Sequence, residues 1–220
     1  METANTITLK EQLIAQEAIV NSALPEEFKQ GNESMIKDLT DQEFQKKALK
    51  VGEEVENFTL TDAFGKNVSL AGLLSKGPVV LTFYRGNWCP FCNVQLAALQ
   101  KHLPEFQKSN ATLVAISAEK PDKSMVTVEK HKLTFPILSD YKNVVAKKFG
   151  IIFVVPEYLV ATFKKFGLDL ENHYENQEIL LPIPSTFVIG KDFKVKYAFS
   201  SEDFTKRPEP SDIIKALQQL

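Results

Sequence analysis

The fold of this chain is decided by the segment Tyr84-Arg85-Gly86-Asn87-Trp88-Cys89-Pro90-Phe91-Cys92. A continuous apolar run over 78–84 leads into this segment and is typical of a strand buried on both faces. Residues 94–106 follow it, and their leucines recur at helical spacing. The two cysteines are therefore predicted to lie where a central strand turns into a helix.

The chemistry of the segment depends on its two thiols. Cys89 and Cys92 are the only cysteines of the chain, so none remains for a stabilising cross-link elsewhere. A thiol reacts as its thiolate, which unpaired amides and the positive end of the helix dipole stabilise at the first turn of a helix. Two residues of spacing also bring the sulfurs into bonding range. We therefore expect a pair that cycles between dithiol and disulfide, rather than two inert packing residues.

Three further residues are candidates for contacting a substrate. Arg85 can fold over the sulfurs as a permanent cation, although a solvated or structural arginine is the open alternative. Trp88 can shield the sulfurs and offer a flat contact surface. Pro184 is predicted to follow a cis peptide bond, which would expose the backbone of Ile183 to an extended substrate chain.

The chain divides into a helical extension and one larger domain. Residues 1–50 carry two Thr-x-x-Glu capping boxes, Thr8 to Glu11 and Thr40 to Glu43, and predict short helices. Their apolar stripe is expected to dock on the main domain or to form a dimer contact. Strands and helices alternate over 51–220, which predicts an α/β domain with a central mixed sheet flanked by helices. The stretch 151–181 is interpreted as an insertion that packs near the edge of the domain where the two cysteines lie.

Composition narrows the classes of function. With 26 basic and 28 acidic residues the formal net charge is -2, so nothing favours nucleic acid or an anionic membrane as partner. No apolar run approaches the roughly 20 residues of a membrane span, and the polar start lacks a signal peptide, so we expect a cytoplasmic protein. A zinc site would need two more ligands, and the histidines are far apart in sequence and expected at the surface. No metal and no cofactor is predicted; the histidines are His102, His131 and His173.

Segment 84–92 resembles the active site of the thioredoxin superfamily. The stretch 51–220, with its Trp-Cys-Pro-x-Cys motif and its final hairpin and helix, is similar to the peroxiredoxin-like branch, the alkyl hydroperoxide reductase and thiol-specific antioxidant group. The resemblance implies a thioredoxin-like fold. It also implies a thiol-dependent peroxidase that reduces hydrogen peroxide or organic hydroperoxides and is recycled by thioredoxin or a similar dithiol donor.

The chain departs from the peroxiredoxin pattern Pro-x-x-x-Thr-x-x-Cys. On that pattern Cys92 takes the peroxidatic position, whereas Cys89 replaces the threonine and Arg85 the proline. Pro184 stands where the distant arginine of peroxiredoxins is expected, and Arg207 reaches the site only if the C-terminal tail folds back. In thioredoxins the first cysteine is the nucleophile, so the resemblance leaves the roles of the two cysteines open.

Two other functions compete with the peroxidase. A thioredoxin-like protein disulfide reductase is favoured by Trp88, Pro90 and Pro184, and a non-enzymatic redox-sensing module is the third hypothesis. A homodimer is a further expectation. In the peroxidase hypothesis the catalytic residues are Cys89 and Cys92, and the substrate-binding residues are Arg85, Trp88 and Pro184.

Overall fold

A computed structural model describes residues 7–174 and 178–220. The strands are β1 (Thr59–Asp62), β2 (Asn67–Ser69), β3 (Val79–Phe83), β4 (Thr112–Ser117), β5 (Ile137–Ser139), β6 (Ile152–Val154), β7 (Leu180–Pro182), β8 (Ser185–Ile189) and β9 (Val195–Ser200). The helices are α1 (Leu9–Ala23), α2 (Glu26–Asp41), α3 (Leu70–Leu74), α4 (Pro90–Lys101), α5 (Leu103–Lys108), α6 (Pro121–His131), α7 (Val144–Lys148), α8 (Glu157–Lys165) and α9 (Pro210–Leu217).

A seven-stranded mixed sheet forms the centre of the fold, in the order β2-β1-β5-β4-β3-β8-β9. Strand β3 runs parallel to β4 and antiparallel to β8, and all five of its residues are buried. The expected central mixed sheet with flanking helices is confirmed. Strands β6 and β7, from the stretch interpreted as an insertion, form a separate antiparallel pair. Part of that stretch, residues 175–177, lies outside the described residues.

The passage from β3 to α4 occurs where the sequence predicts it. Strand β3 ends at Phe83, and α4 begins at Pro90 with Cys89 as its N-cap residue. The expectation of one helix over 94–106 is wrong, because α4 ends at Lys101 and a second helix, α5, follows. Pro104 explains the break, since it has no amide hydrogen to continue the helical hydrogen-bond ladder.

The N-terminal helices dock on the main domain. Docking was one of the two expectations for their apolar stripe, and a dimer contact was the other. Leu9 and Leu13 are buried, α1 packs against α4, and α2 packs against α8. The capping box at Thr8 is present. The one predicted at Thr40 is wrong, because α2 continues to Asp41 and the Thr40 hydroxyl donates a hydrogen bond to the carbonyl of Ile36.

Glu209, at the start of α9, ties the extension to the C-terminal segment. One of its carboxylate oxygens accepts a hydrogen bond from the Leu9 amide at 3.1 Å, and the other accepts from the Lys10 amide at 2.7 Å. These amides belong to the first turn of α1 and have no partner within the helix. The carboxylate therefore acts as a second cap and faces the positive end of the helix dipole.

Among the described residues, no helix has the length and apolar character that crossing a membrane requires.

We predict that Glu209→Ala loosens the extension, because two amides of α1 lose their acceptor. The free energy of unfolding should fall by about 1 kcal/mol, and the α1 amides should exchange hydrogen faster. Chemical denaturation and hydrogen-exchange mass spectrometry measure both effects. Glu33→Ala, which removes an exposed carboxylate from α2, is the matched control. Equal behaviour of the two variants would contradict the anchoring role.

Candidate active site

Two free thiols lie at the start of α4. The sulfur atoms of Cys89 and Cys92 are 2.7 Å apart, and the Cys89 sulfur accepts the backbone N–H of Cys92 at 3.4 Å. A disulfide bond measures about 2.05 Å, so a small shift is enough to join the sulfurs. Both residues are 0 % exposed. The two sulfurs are therefore close enough to form a disulfide, and both are covered by the surrounding chain.

Arg85 lies over the dithiol. The sequence left two alternatives for this residue, a cation over the sulfurs or a solvated or structural arginine, and the structure shows the first. Its Nη2 donates a hydrogen bond to the Cys89 sulfur at 3.2 Å. The faces of its guanidinium are covered by Trp88 at 5.1 Å and Phe204 at 4.1 Å, measured from the guanidinium carbon to the ring centres. These cation–π contacts leave only the edges of the group for hydrogen bonding.

Arg207 brings a second guanidinium to the site, because the C-terminal tail does fold back. Its Nη2 donates to the Cys92 sulfur at 3.4 Å, and its Nε donates to Oε1 of Gln95 at 2.6 Å. Gln95 in turn donates from Nε2 to the hydroxyl of Thr82 at 3.2 Å, on the central strand β3. A buried polar chain thus runs from the sheet through Gln95 and Arg207 to the sulfur.

The two guanidinium groups have no acidic partner in the part of the chain that the structure describes, since no carboxylate oxygen lies within 4.0 Å of either. Both arginines are nonetheless buried. A buried charge is costly unless it is paired. The anion that fits this position is a thiolate of the cysteine pair.

The pKa values of the two thiols move in opposite directions. Burial works to raise the pKa of Cys92, but the hydrogen bond from Cys89 and the charges of Arg207 and Arg85 outweigh it and hold that pKa well below its usual range. Burial and the hydrogen bond to Cys92 raise the pKa of Cys89 well above its usual range. With this order of pKa values, Cys92 is the sulfur that ionises first. An ionised Cys92 beside a protonated Cys89 would give the pair a nucleophile and a proton donor.

Tyr174 holds the loop between β3 and α4 in place. Its hydroxyl donates to the carbonyl of Arg85 at 2.6 Å and accepts from Nε1 of Trp88 at 2.9 Å. The packing is so close that a Cβ on Gly86 would lie 2.5 Å from Trp88 Nε1 and 2.9 Å from the Tyr174 hydroxyl oxygen. Only glycine fits at this position of the loop.

Glu119 supports the same loop from the carboxyl end of β4. Its Oε2 accepts the amide of Asn87 at 2.9 Å, and its Oε1 lies 3.3 Å from Nδ1 of His173. Burial raises the pKa of Glu119, and the hydrogen bonds from His173 and Asn87 offset only part of this effect. The expectation that His173 is a surface residue without a partner is wrong, since its side chain is only 18 % exposed and faces this carboxyl group.

Pro184 lies at the same end of the sheet, because the adjacent Ser185 pairs with Phe83. The predicted cis bond is wrong, as the peptide bond before Pro184 is trans. The Ile183 amide donates to the carbonyl of Ile151 at 2.8 Å. This hydrogen bond lies next to the β6–β7 pair and already uses the amide of the backbone that was expected to receive an extended substrate.

Three residues of this environment are absent from the sequence-based candidates. These residues are Gln95, Glu119 and Tyr174, and the sequence indicates a buried polar role for them to different degrees. Gln95 occupies the apolar face of a helix three residues after Cys92, where a polar side chain needs a buried partner. Glu119 directly follows a buried strand, whereas Tyr174 has no signal that the sequence alone would reveal. No group of three or more His, Cys, Asp or Glu residues able to hold a metal occurs within residues 7–174 and 178–220.

A thioredoxin-like sheet with a buried dithiol at the start of a helix defines the class of thiol oxidoreductases. Comparison with known proteins identifies the family. The sequence profile of the AhpC/TSA family matches residues 51–198. The chain belongs to this family, whose members are thiol-dependent peroxidases of thioredoxin fold.

Individual relatives agree with this assignment. Chloroplastic peroxiredoxin Q of Triticum aestivum is 30 % identical over 164 residues, which cover 74 % of this chain and 64 % of that protein. A putative peroxiredoxin of Mycobacterium tuberculosis is 33 % identical over 155 residues, 70 % of this chain and 87 % of that protein. Among solved structures, peroxidoxin BcpB of Mycobacterium tuberculosis has a TM-score of 0.62 and 28 % identity, covering 78 % of this chain and 98 % of that one.

We predict that Arg207→Met raises the pKa of Cys92, because the thiolate loses a cation within hydrogen-bond distance. In a Cys89→Ser background, which keeps a hydroxyl as donor, the titration midpoint of Cys92 should lie below that of an ordinary cysteine and should rise on loss of Arg207. The ultraviolet absorbance of the thiolate measures it without added reagent. Lys206→Met removes a neighbouring exposed cation and is the control. An unchanged midpoint would refute the pairing.

We also predict that Tyr174→Phe alters the loop, because both hydrogen bonds of its hydroxyl are lost. The free energy of unfolding should fall by about 1 kcal/mol. The emission of Trp88, the single tryptophan of the chain, should change with it. Tyr158→Phe, at an exposed tyrosine, is the control. If both variants leave the emission spectrum unaltered, the loop does not depend on this hydroxyl.

Proposed function

We propose that this protein reduces hydroperoxides with Cys92 as the nucleophile. The Cys92 thiolate attacks the distal oxygen of R–O–O–H, the O–O bond breaks, and Cys92 becomes a sulfenic acid. The leaving R–O⁻ takes a proton from water and departs as the alcohol, or as water when the substrate is hydrogen peroxide. The sulfur is oxidised by two electrons and the peroxide is reduced by the same two.

The observation that carries this proposal is the pairing of two buried guanidinium groups with the dithiol. Arg207 donates to the Cys92 sulfur and Arg85 to the Cys89 sulfur. The same hydrogen-bond donors suit the negative charge that develops on the leaving oxygen as the O–O bond breaks. In this proposal Arg207 replaces the distant arginine of peroxiredoxins. The position at which that arginine is expected in the sequence is occupied by Pro184.

Cys89 resolves the intermediate. Its thiol attacks the sulfur of the Cys92 sulfenic acid, a disulfide forms, and water leaves with the hydroxyl oxygen and the thiol proton. A dithiol donor such as thioredoxin then reduces this disulfide by thiol–disulfide exchange. The donor becomes a disulfide, and Cys89 and Cys92 become thiols again. Because both sulfurs are fully covered in the reduced chain, this exchange requires the first turn of α4 to open in the oxidised protein.

The competing hypotheses are less consistent with the site. A protein disulfide reductase needs a free backbone edge beside the dithiol, whereas the Ile183 amide is already paired. A redox-sensing module would share the dithiol but not consume peroxide. A cytoplasmic location belongs to the peroxidase proposal, because a reducing compartment keeps the dithiol reduced. The homodimer stays a prediction that sedimentation measurements test.

Peroxide consumption coupled to thioredoxin, thioredoxin reductase and NADPH tests the activity. Wild-type protein should turn over, and Cys92→Ser should lower the rate roughly a thousandfold, because the nucleophile is lost. Cys89→Ser should consume about one peroxide per chain and then stop, since its sulfenic acid has no resolving thiol. No turnover by wild-type protein above the double-serine variant would reject the peroxidase.

The assignment of roles has a separate readout. A sulfenic-acid trap followed by mass spectrometry should label Cys92 in the Cys89→Ser variant and leave Cys89 unlabelled in Cys92→Ser. Labelling of Cys89 in the second variant would reverse the roles that the arginine contacts assign.

A further inference from the structure

A cavity of about 290 Å³ lies between the N-terminal extension and the dithiol segment. We call it the extension cavity. Helix α8 and the turn after it form one side, and the segment around Arg85, Trp88 and Pro90 forms another. The lining residues from the extension are Ile19, Val20, Ala23, Leu24, Phe28 and Asn32. The extension therefore supplies a wall directly beside the active site.

The extension cavity suits an apolar body of limited size. Its volume equals that of about ten water molecules in the liquid, which is enough for an aromatic ring with a few methyl groups. Phenylalanine side chains of α2, α8 and the C-terminal tail line it together with Trp88. Ile19 is 61 % exposed and Phe166 is 39 % exposed, so the cavity opens to solvent between α1 and the end of α8.

One end of the cavity is formed by Arg85. Arg85 is 4 % exposed, and its Nε, which is closed to solvent, has no hydrogen-bond partner among the residues that the structure describes. An unpaired buried donor destabilises the protein until an acceptor arrives. The Nε and Nη2 hydrogens point from one edge of a guanidinium. An oxygen that accepts from Nε therefore lies next to the Nη2 hydrogen bond to Cys89, whose sulfur is 2.7 Å from that of Cys92.

We infer that the N-terminal extension determines the substrate preference of this protein. Resting on the proposed function, the inference assigns the extension cavity to the organic group of a hydroperoxide, with the peroxide group directed toward Arg85. The family match begins at residue 51, so the wall formed by Ile19, Val20 and Ala23 is an addition to the family domain. Hydrogen peroxide gains nothing from an apolar wall, whereas a bulky hydroperoxide buries its carbon atoms there.

Filling the cavity from the extension tests the inference. Ala23→Phe adds a ring at an exposed residue that lines the cavity, and Ala18→Phe adds the same ring on the same helix at an exposed residue that does not line it. The ratio of kcat/KM for cumene hydroperoxide to that for hydrogen peroxide should fall roughly tenfold in Ala23→Phe and stay constant in Ala18→Phe. An equal effect of both variants on the two substrates, or no effect of either, overturns the inference.

A binding measurement separates this inference from the peroxidase itself. 2-Phenyl-2-propanol, the alcohol formed from cumene hydroperoxide, has no peroxide bond and should change the emission of Trp88 with saturation. Ala23→Phe should weaken this binding about tenfold, and Ala18→Phe should not. Loss of binding in Ala23→Phe with no peroxidase activity on any substrate would reject the proposed function and retain the cavity as a ligand site. Absence of saturable binding to wild-type protein rejects the cavity.

A second pair of variants covers the case that Ala23→Phe does not fold. Ile19→Glu puts a charge at the exposed rim of the cavity, where burial of an apolar group would leave it unpaired. The same selective loss of cumene hydroperoxide reduction is expected, with Ala18→Glu as the control. Circular dichroism confirms that each variant is folded before its rates are compared.

Discussion

Two buried positive charges that have no carboxylate partner within residues 7–174 and 178–220 dominate the centre of this protein. Arg85 contacts the Cys89 sulfur from the loop just before it, Arg207 contacts the Cys92 sulfur from the C-terminal tail, and a thiolate in this pair would balance part of their charge. In a low-dielectric interior such an arrangement stabilises the anion strongly. The reactivity of the dithiol is therefore a property of these two contacts as much as of its position at a helix start.

Much of the surrounding structure serves to keep the guanidinium groups in place. Gln95 connects Arg207 to the central strand, while Trp88 and Phe204 cover the faces of Arg85. The tail that carries Arg207 also carries Glu209, which caps the first helix of the extension. The extension, the tail and the dithiol thus form one connected unit, in which each part restrains the next.

The structural comparisons support the fold and the family, and the site shows how this chain departs from the usual peroxiredoxin pattern. Cys89 replaces the threonine of that pattern and gives the site a second thiol within one helical turn. An arginine near the sulfur comes from the segment before α9 instead of the position of Pro184. A pattern read by position alone would therefore miss that arginine, although the chemistry needs only the charge near the sulfur.

Local signals in the sequence were enough to predict β3, the helix start at Cys89 and the α/β class, because burial of an apolar run and capping depend on neighbouring residues. They failed for the peptide bond before Pro184 and for His173, where distant segments decide the outcome. The approach of Arg207 to Cys92 spans 115 positions, and that of Tyr174 to Arg85 spans 89. The sequence by itself determined that two thiols lie side by side at the start of a helix. Tertiary structure decided which charges surround them, because only folding brings such separated residues within hydrogen-bond distance.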